Sequence, residues 1–356
     1  MMKATSRNSG GLSSVFALAL LLVPSWAAAD SKPAAPGPGA PASAPAPAQD
    51  TKPATEEKPR MEIYGFAMMD MGYQTGQNDP NWFDVLRPTK LPAFENEYGA
   101  DGHYFAGVRQ SRLGVKGFIP TSAGEIKTIF EFELFGTGVD AGQTTFRLRH
   151  AWGELGQVGA GQTWSPFMDI DVFPNSVEYW GPNGMVFFRN VQLRWTPWSK
   201  GDSRFAIALE RPGASADQGI YAGRIALDGV AARFPLPDLS AHFRTVGKRG
   251  HLQLSGIVRQ MKWDDLNDDK FDLSGSATGW GLHASSNLKL AKHVARLSVV
   301  YGEGIQNYMN DAPVDVGIQN NFSNPRTPIL GKALPMLGIS AFLDLNWNAK
   351  WTSTVG

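Results

Sequence analysis

Cysteine is absent from the 356 residues. That excludes a disulfide scaffold, thiolate metal ligands and a thiol nucleophile. An excess of either charge is missing too, since 33 Lys and Arg face 33 Asp and Glu. An even balance gives no electrostatic footing for nucleic acid, so no nucleic-acid partner is expected. Beyond residue 29 no apolar run approaches the roughly 20 residues that a membrane helix needs. Histidine is sparse: positions 103, 150, 242, 251, 283 and 293 lie far apart, with no HxxxH or HExxH spacing. No metal site and no cofactor is expected. No GxSxG occurs, and Glu131 with Glu133 is an unsupported glycosidase pair. The chain is not read as an enzyme.

What is present begins with an export signal. Lys3 and Arg7 precede an apolar stretch at 15–23, and Ala27, Ala28 and Ala29 supply small residues for cleavage. Residues 1–29 therefore read as a signal peptide, too short in their apolar part to span a bilayer. Residues 30–60 are rich in Pro and Ala. Such a tract favours extended conformers and cannot bury a core, so it reads as a periplasmic linker.

Residues 61–356 alternate with a period of two. In 124–135, Ile126, Thr128, Phe130, Phe132 and Leu134 share one parity, while Glu125, Lys127, Ile129, Glu131 and Glu133 take the other. Successive strand side chains point to opposite faces, so one face is apolar and the other charged. Thirteen segments read this way, near 61–73, 109–119, 124–135, 143–155, 157–164, 186–195, 203–210, 239–246, 250–263, 278–290, 292–302, 334–345 and 347–355. Short turns alternate with long loops at 74–108, 165–185, 211–238, 264–277 and 303–333.

The fold class expected is all-β: an antiparallel transmembrane β-barrel in the outer membrane of a Gram-negative bacterium, in contact with lipid and lipopolysaccharide. A soluble sandwich would place its apolar face inside and leave no room for so many Arg and Glu. Tyr64, Tyr73, Trp152, Trp164, Trp195, Trp263, Trp280, Trp347 and Trp351 fall near strand ends, where rings suit an interfacial girdle. Bacterial barrels have an even strand number. Thirteen is odd, so about three further strands are expected beyond Gly356, giving sixteen; a miscount within 220–234 is the alternative.

Parity places Arg112, Lys116, Arg147, Arg149 and Arg194 on the inward face as a basic ladder, with Glu125, Glu131 and Glu133 between them. Asp169, Asp171 and Glu178 fall in the loop at about 165–185. Two readings stay open. Either a basic wall faces an acidic loop and sets a transverse field that favours anions, or Glu131 and Glu133 pair with Arg147 and Arg149 to hold the wall together. His150 takes lipid-face parity, which a subunit interface would explain. The acidic stretch at 263–272 lacks the EF-hand pattern and reads as a solvated loop.

The motifs RQSRLGVKG (109–117), GEIKTIFEFELFG (124–136), TTFRLRHAWGELG (144–156), GAGQTWSPFMDIDVFPNS (159–176) and WGPNGMVFFRNVQLRW (180–195) resemble the DcaP-like porins of Gram-negative outer membranes. The resemblance is dense over about 90 residues. It implies a homotrimeric, sixteen-stranded diffusion channel whose third extracellular loop, here about 165–185, folds inward as a constriction. It also implies uptake of small anionic solutes, dicarboxylates among them. The family's periplasmic coiled coil is not carried over, because 31–59 has no heptads. A plugged, structural or adhesin barrel without an open channel is the alternative.

Overall fold

The computed structural model describes residues 58–176, 178, 180, 182–224 and 227–356. The expected signal peptide and nearly all of the linker lie outside the described residues. In chain order the strands are β1 Arg60–Phe66, β2 Asp70–Gln74, β3 His103–Gly107, β4 Arg112–Thr121, β5 Gly124–Phe135, β6 Thr144–Leu155, β7 Val158–Trp164, β8 Arg189–Lys200 and β9 Ser203–Glu210. They continue with β10 Val230–Arg233, β11 Asp238–Gly247, β12 Gly250–Asp265, β13 Gly275–Leu290, β14 His293–Glu303, β15 Val316–Asn320, β16 Ile329–Ala333, β17 Pro335–Asn346 and β18 Thr352–Val355. Among the described residues the helical segments are short 3-10 turns in the connections. Among the described residues no helix is long and apolar enough to cross a membrane, which says nothing of strands.

One 14-stranded sheet dominates. Its path runs β1-β4-β5-β6-β7-β8-β9-β11-β12-β13-β14-β17-β18, with β10 paired to β12. Its strand pairs are all antiparallel, as tight turns between sequence neighbours require. Two small hairpins, β2–β3 and β15–β16, stand apart. The expected first strand at 61–73 is thus two pieces. Ser111 separates them: its hydroxyl receives the Met68 amide at 2.9 Å and donates to the Met68 carbonyl at 3.1 Å, replacing ladder bonds. The expected loops at 74–108, 211–238 and 303–333 carry β3, β10 and the β15–β16 hairpin.

The two faces of the sheet are opposite in kind. One is bare and apolar: Phe130, Leu254, Leu282 and Ile339 are 51–65% exposed. The other is covered and polar, with Glu131, Gln253, His283 and Ser298 all buried. A bulge in β6 changes the phase. The register passes from Phe132↔Leu148 to Glu131↔His150, leaving Arg149 as the extra residue. Arg149 and His150 therefore both point to the covered face, and the lipid-face parity expected for His150 is corrected. Beyond the bulge Trp152 turns inward as well. Tyr64 and Trp164 are also on the covered face, so none of these three rings belongs to a girdle.

Two loops lie on the covered face. Phe167 and Met168 from 165–188, and Ile305, Tyr308 and Met309 from 304–315, pack on Ile257 and Val300 of the sheet. The loops also bond to each other, Phe187 N to Tyr308 O and Asn310 N to Met185 O, both at 2.9 Å. Small residues allow the approach. A Cβ at Gly281 would sit 2.8 Å from the Phe167 ring, and one at Gly184 2.6 Å from the Ile339 carbonyl.

The face assignment is open to test by urea unfolding in lipid vesicles. Phe130→Arg should cost about 2–4 kcal/mol, the price of a cation at mid-bilayer. Ile129→Arg, on the polar side, should cost distinctly less. Equal losses would reverse or dissolve the two faces.

Candidate functional site: an arginine-rich cavity

The alternation of β5 builds the centre of the site. Phe130 and Phe132 stand on the bare face, so Glu131 and Glu133 between them point to the covered one. Arg112 on β4 and Arg147 on β6 both lie opposite Glu133, and His150 lies opposite Glu131. One carboxylate pair therefore gathers cations from both neighbouring strands. Arg149 bridges it, with Nε 2.5 Å from Glu131 and Nη1 2.5 Å from Glu133. Arg147 lies 3.4 Å from Glu133, Arg112 lies 3.6 Å from Glu131, and Arg189 lies 3.8 Å from Glu133. Tyr64 donates its hydroxyl to Glu131 at 2.6 Å, and the Lys116 ammonium sits 5.1 Å from the Tyr64 ring.

These groups border a cavity of about 770 Å³ between β4–β6 and the two covering loops. Ile170, Phe173, Trp180 and Phe187 line it from 165–188, and Asn307, Met309 and Asn310 from the other loop. Four guanidinium groups and one ammonium meet two carboxylates there. His150 joins the wall beside them: its Nδ1 is 2.9 Å from the Thr163 hydroxyl, and it packs edge-on against Trp164.

The structure gathers Arg112, Lys116, Arg147, Arg149, Glu131 and Glu133, and leaves the other expected residues elsewhere. Arg194 stands apart, bonded to Gln192 and the Trp164 carbonyl and stacked 5.0 Å from Trp152. Glu125 pairs with Arg60 at 3.2 Å in an exposed position. Asp169 turns away from the arginine cluster and is held by Arg244 at 3.0 Å, His251 at 2.6 Å and Ser285 at 2.7 Å. Asp171 bonds the same Arg244. Glu178 receives the amides of Leu86 and Trp180 at 2.7 and 2.9 Å. The loop acids thus bond backbone amides and side chains of far strands.

Arg189 is a cavity residue the sequence reading missed. It opens β8, where alternation is not yet established. Arg259 was missed too. Its guanidinium is 1% exposed and joins Asp238 at 2.9 Å to Asp315 at 3.0 Å, tying the 304–315 loop to β11 and β12. No local pattern could announce a partner 56 residues away. Among the described residues no three of His, Asp and Glu cluster as a metal would need.

Burial alone would raise the Asp169 carboxyl. Hydrogen bonds from His251 and Ser285 and the nearby His251 and Arg244 charges outweigh burial and hold it well below the usual carboxylate range. A depressed carboxyl contributes stability that is complete above its unfolded value of about 3.9 and fades as pH falls toward the folded one. Pepsin should therefore leave 165–176 intact at about pH 4 and cut there only at lower pH, earlier in Asp169→Asn. Arg149→Ala should lower unfolding stability by about 3 kcal/mol in urea titrations, because two buried carboxylates lose their bridging cation. A loss under about 1 kcal/mol would mean that Arg112 and Arg147 suffice.

The family described as DcaP outer membrane protein matches residues 46–296. Among solved structures, the outer membrane channel DcaP of Acinetobacter baumannii is similar at a TM-score of 0.63 and 18% identity, over 84% of this chain and 78% of that chain. At that identity the likeness is one of fold. No curated protein sequence matches the chain significantly.

Proposed function

We propose that this chain, which belongs to the DcaP outer membrane protein family, forms a water-filled channel that passes small hydrophilic solutes and favours anions. The observation that carries the reading is the charge of the cavity: Arg112, Lys116, Arg147, Arg149 and Arg189 outnumber Glu131 and Glu133. Fixed charge beside a narrowing is what sets the sign of the permeating ion. The bare apolar face supports a lipid setting, since water would penalise so large an apolar surface.

In this reading the sheet closes as a barrel across the outer membrane of a Gram-negative bacterium, among lipid and lipopolysaccharide. Residues 1–29 are the cleaved signal, residues 30–60 the periplasmic linker, and the loop at about 165–185 the constriction. The barrel assembles as a homotrimer, and dicarboxylate-like solutes are the substrate class. Diffusion through such a channel needs no catalyst, and none is assigned.

A specific observation favours a second reading. Phe167, Tyr308 and their neighbours fill the covered face of β12–β14 with apolar packing. If that packing spans the whole interior, the barrel is plugged and serves as a structural or adhesive element.

Planar bilayers separate the two. The purified protein should give stepwise ion conductance, and under a KCl gradient its zero-current potential should take the sign of chloride preference. Cation preference would remove the anionic reading, and absence of conductance would favour the plug.

A further inference from the structure

We propose that the short-turn end of β8 through β18 is a docking surface for the headgroups of anionic phospholipids. The inference rests on the reading that the bare face borders lipid, and it names the lipid class held at one end of that face. Along the path β8-β9-β11-β12-β13-β14-β17-β18, four hairpin connections fall at the same end of the sheet, at 201–202, 248–249, 291–292 and 347–351. Neighbouring strands lie about 4.8 Å apart, so successive hairpin turns stand about 10 Å from one another.

These turns and their flanks carry Lys200, Lys248, Arg249, Lys289, Lys292 and Lys350, all exposed. Asp202 is the one acid within 200–202, 247–250, 288–293 and 346–352. Among the described residues none of the six cations has a carboxylate within ion-pair distance. The turns are tied into one surface: the Lys289 amide donates to the Arg249 carbonyl and the Lys292 ammonium to the Trp347 carbonyl, both at 2.8 Å. Like charges in such a row repel one another, and an anionic partner removes that cost. The basic character is local. The other two turns at this end, 122–123 and 156–157, carry no charge. At the far end, 264–272 holds five Asp against Lys270.

What stands beside the cations selects the partner. Trp195, Trp198, Trp347 and Trp351 at this end are 42–70% exposed. Leu290, between Lys289 and Lys292 in the chain, is exposed as well. Indole rings settle at the headgroup level of a bilayer, with the apolar body toward the chains and the N–H toward water. Basic side chains next to such rings meet the phosphates of anionic lipids. A soluble polyanion would match the charges and leave the rings in water.

The probe is brominated phospholipid, in vesicles of phosphatidylglycerol and phosphatidylcholine in equal parts, with bromine on the chains of one lipid or the other. Bromine quenches tryptophan fluorescence on contact, so the two vesicle types report which lipid gathers around the inserted full chain. Brominated phosphatidylglycerol should quench more, equivalent to an association constant at least about fivefold above that of phosphatidylcholine. In Lys248→Gln/Arg249→Gln/Lys289→Gln the ratio should fall to about one. In Lys270→Gln, at the acidic end, it should keep its wild-type value. Salt supplies a second readout on wild type alone, where about 0.5 M NaCl should bring the ratio close to one. Equal quenching by both lipids, or a ratio unchanged in the triple variant, would overturn the docking surface and leave the lipid-facing sheet standing. If the triple variant does not fold, a ratio that survives high salt overturns the surface by itself. Quenching by neither lipid would overturn the lipid-facing reading.

Discussion

A sheet whose buried face is polar and whose bare face is apolar has only one comfortable setting. The polar face must enclose water or be matched internally, and the apolar face must meet something as apolar as itself. The alternation of Phe130, Glu131, Phe132 and Glu133 along β5 is this constraint in miniature. The bulge at Arg149 and His150 obeys it as well, since a change of phase there keeps both polar side chains off the apolar face.

Enclosing so many charges sets a second requirement, because an unmatched buried charge is far more costly than a matched one. The protein meets it with shared networks. Glu131 and Glu133 serve several arginines; Asp169 collects Arg244, His251 and Ser285; Arg259 ties Asp238 to Asp315. The last two networks also bring the segments around Asp169 and Asp315 onto the covered face, so the matching of charge and the covering of that face come from the same bonds. At the cavity guanidinium groups exceed carboxylates, and this surplus gives the site its chemical character.

Much of the fold was legible because alternation is local. Strands β5 and β9 begin and end where the period-two pattern does, at Gly124 and Phe135 and at Ser203 and Glu210. The cluster of Arg112, Arg147 and Arg149 with Glu131 and Glu133 was legible by the same rule, as neighbouring strands in sequence are neighbours in the sheet. Three kinds of feature were not. A bulge leaves no mark in RLRHAW, so parity failed at His150 and Trp152. Interrupted pairing by a side chain, as at Ser111, looks like continuous strand. Partners set by long loops cannot be read from spacing: Asp169 finds Ser285 across 116 residues, and Arg189 enters the cavity through the folding of the segment before it.

The central claim is that the polar covered face borders water while the bare face borders lipid. The absence of native cysteine makes single-cysteine labelling a direct measurement of it. In lipid vesicles, a cysteine at Gln162, on the cavity wall, should react with a charged, membrane-impermeant thiol reagent. A cysteine at Phe130 or Leu254 should resist that reagent and have an attached fluorophore quenched by brominated lipid. Labelling at Phe130 and Leu254 with protection at Gln162 would place water on the wrong face and contradict the account.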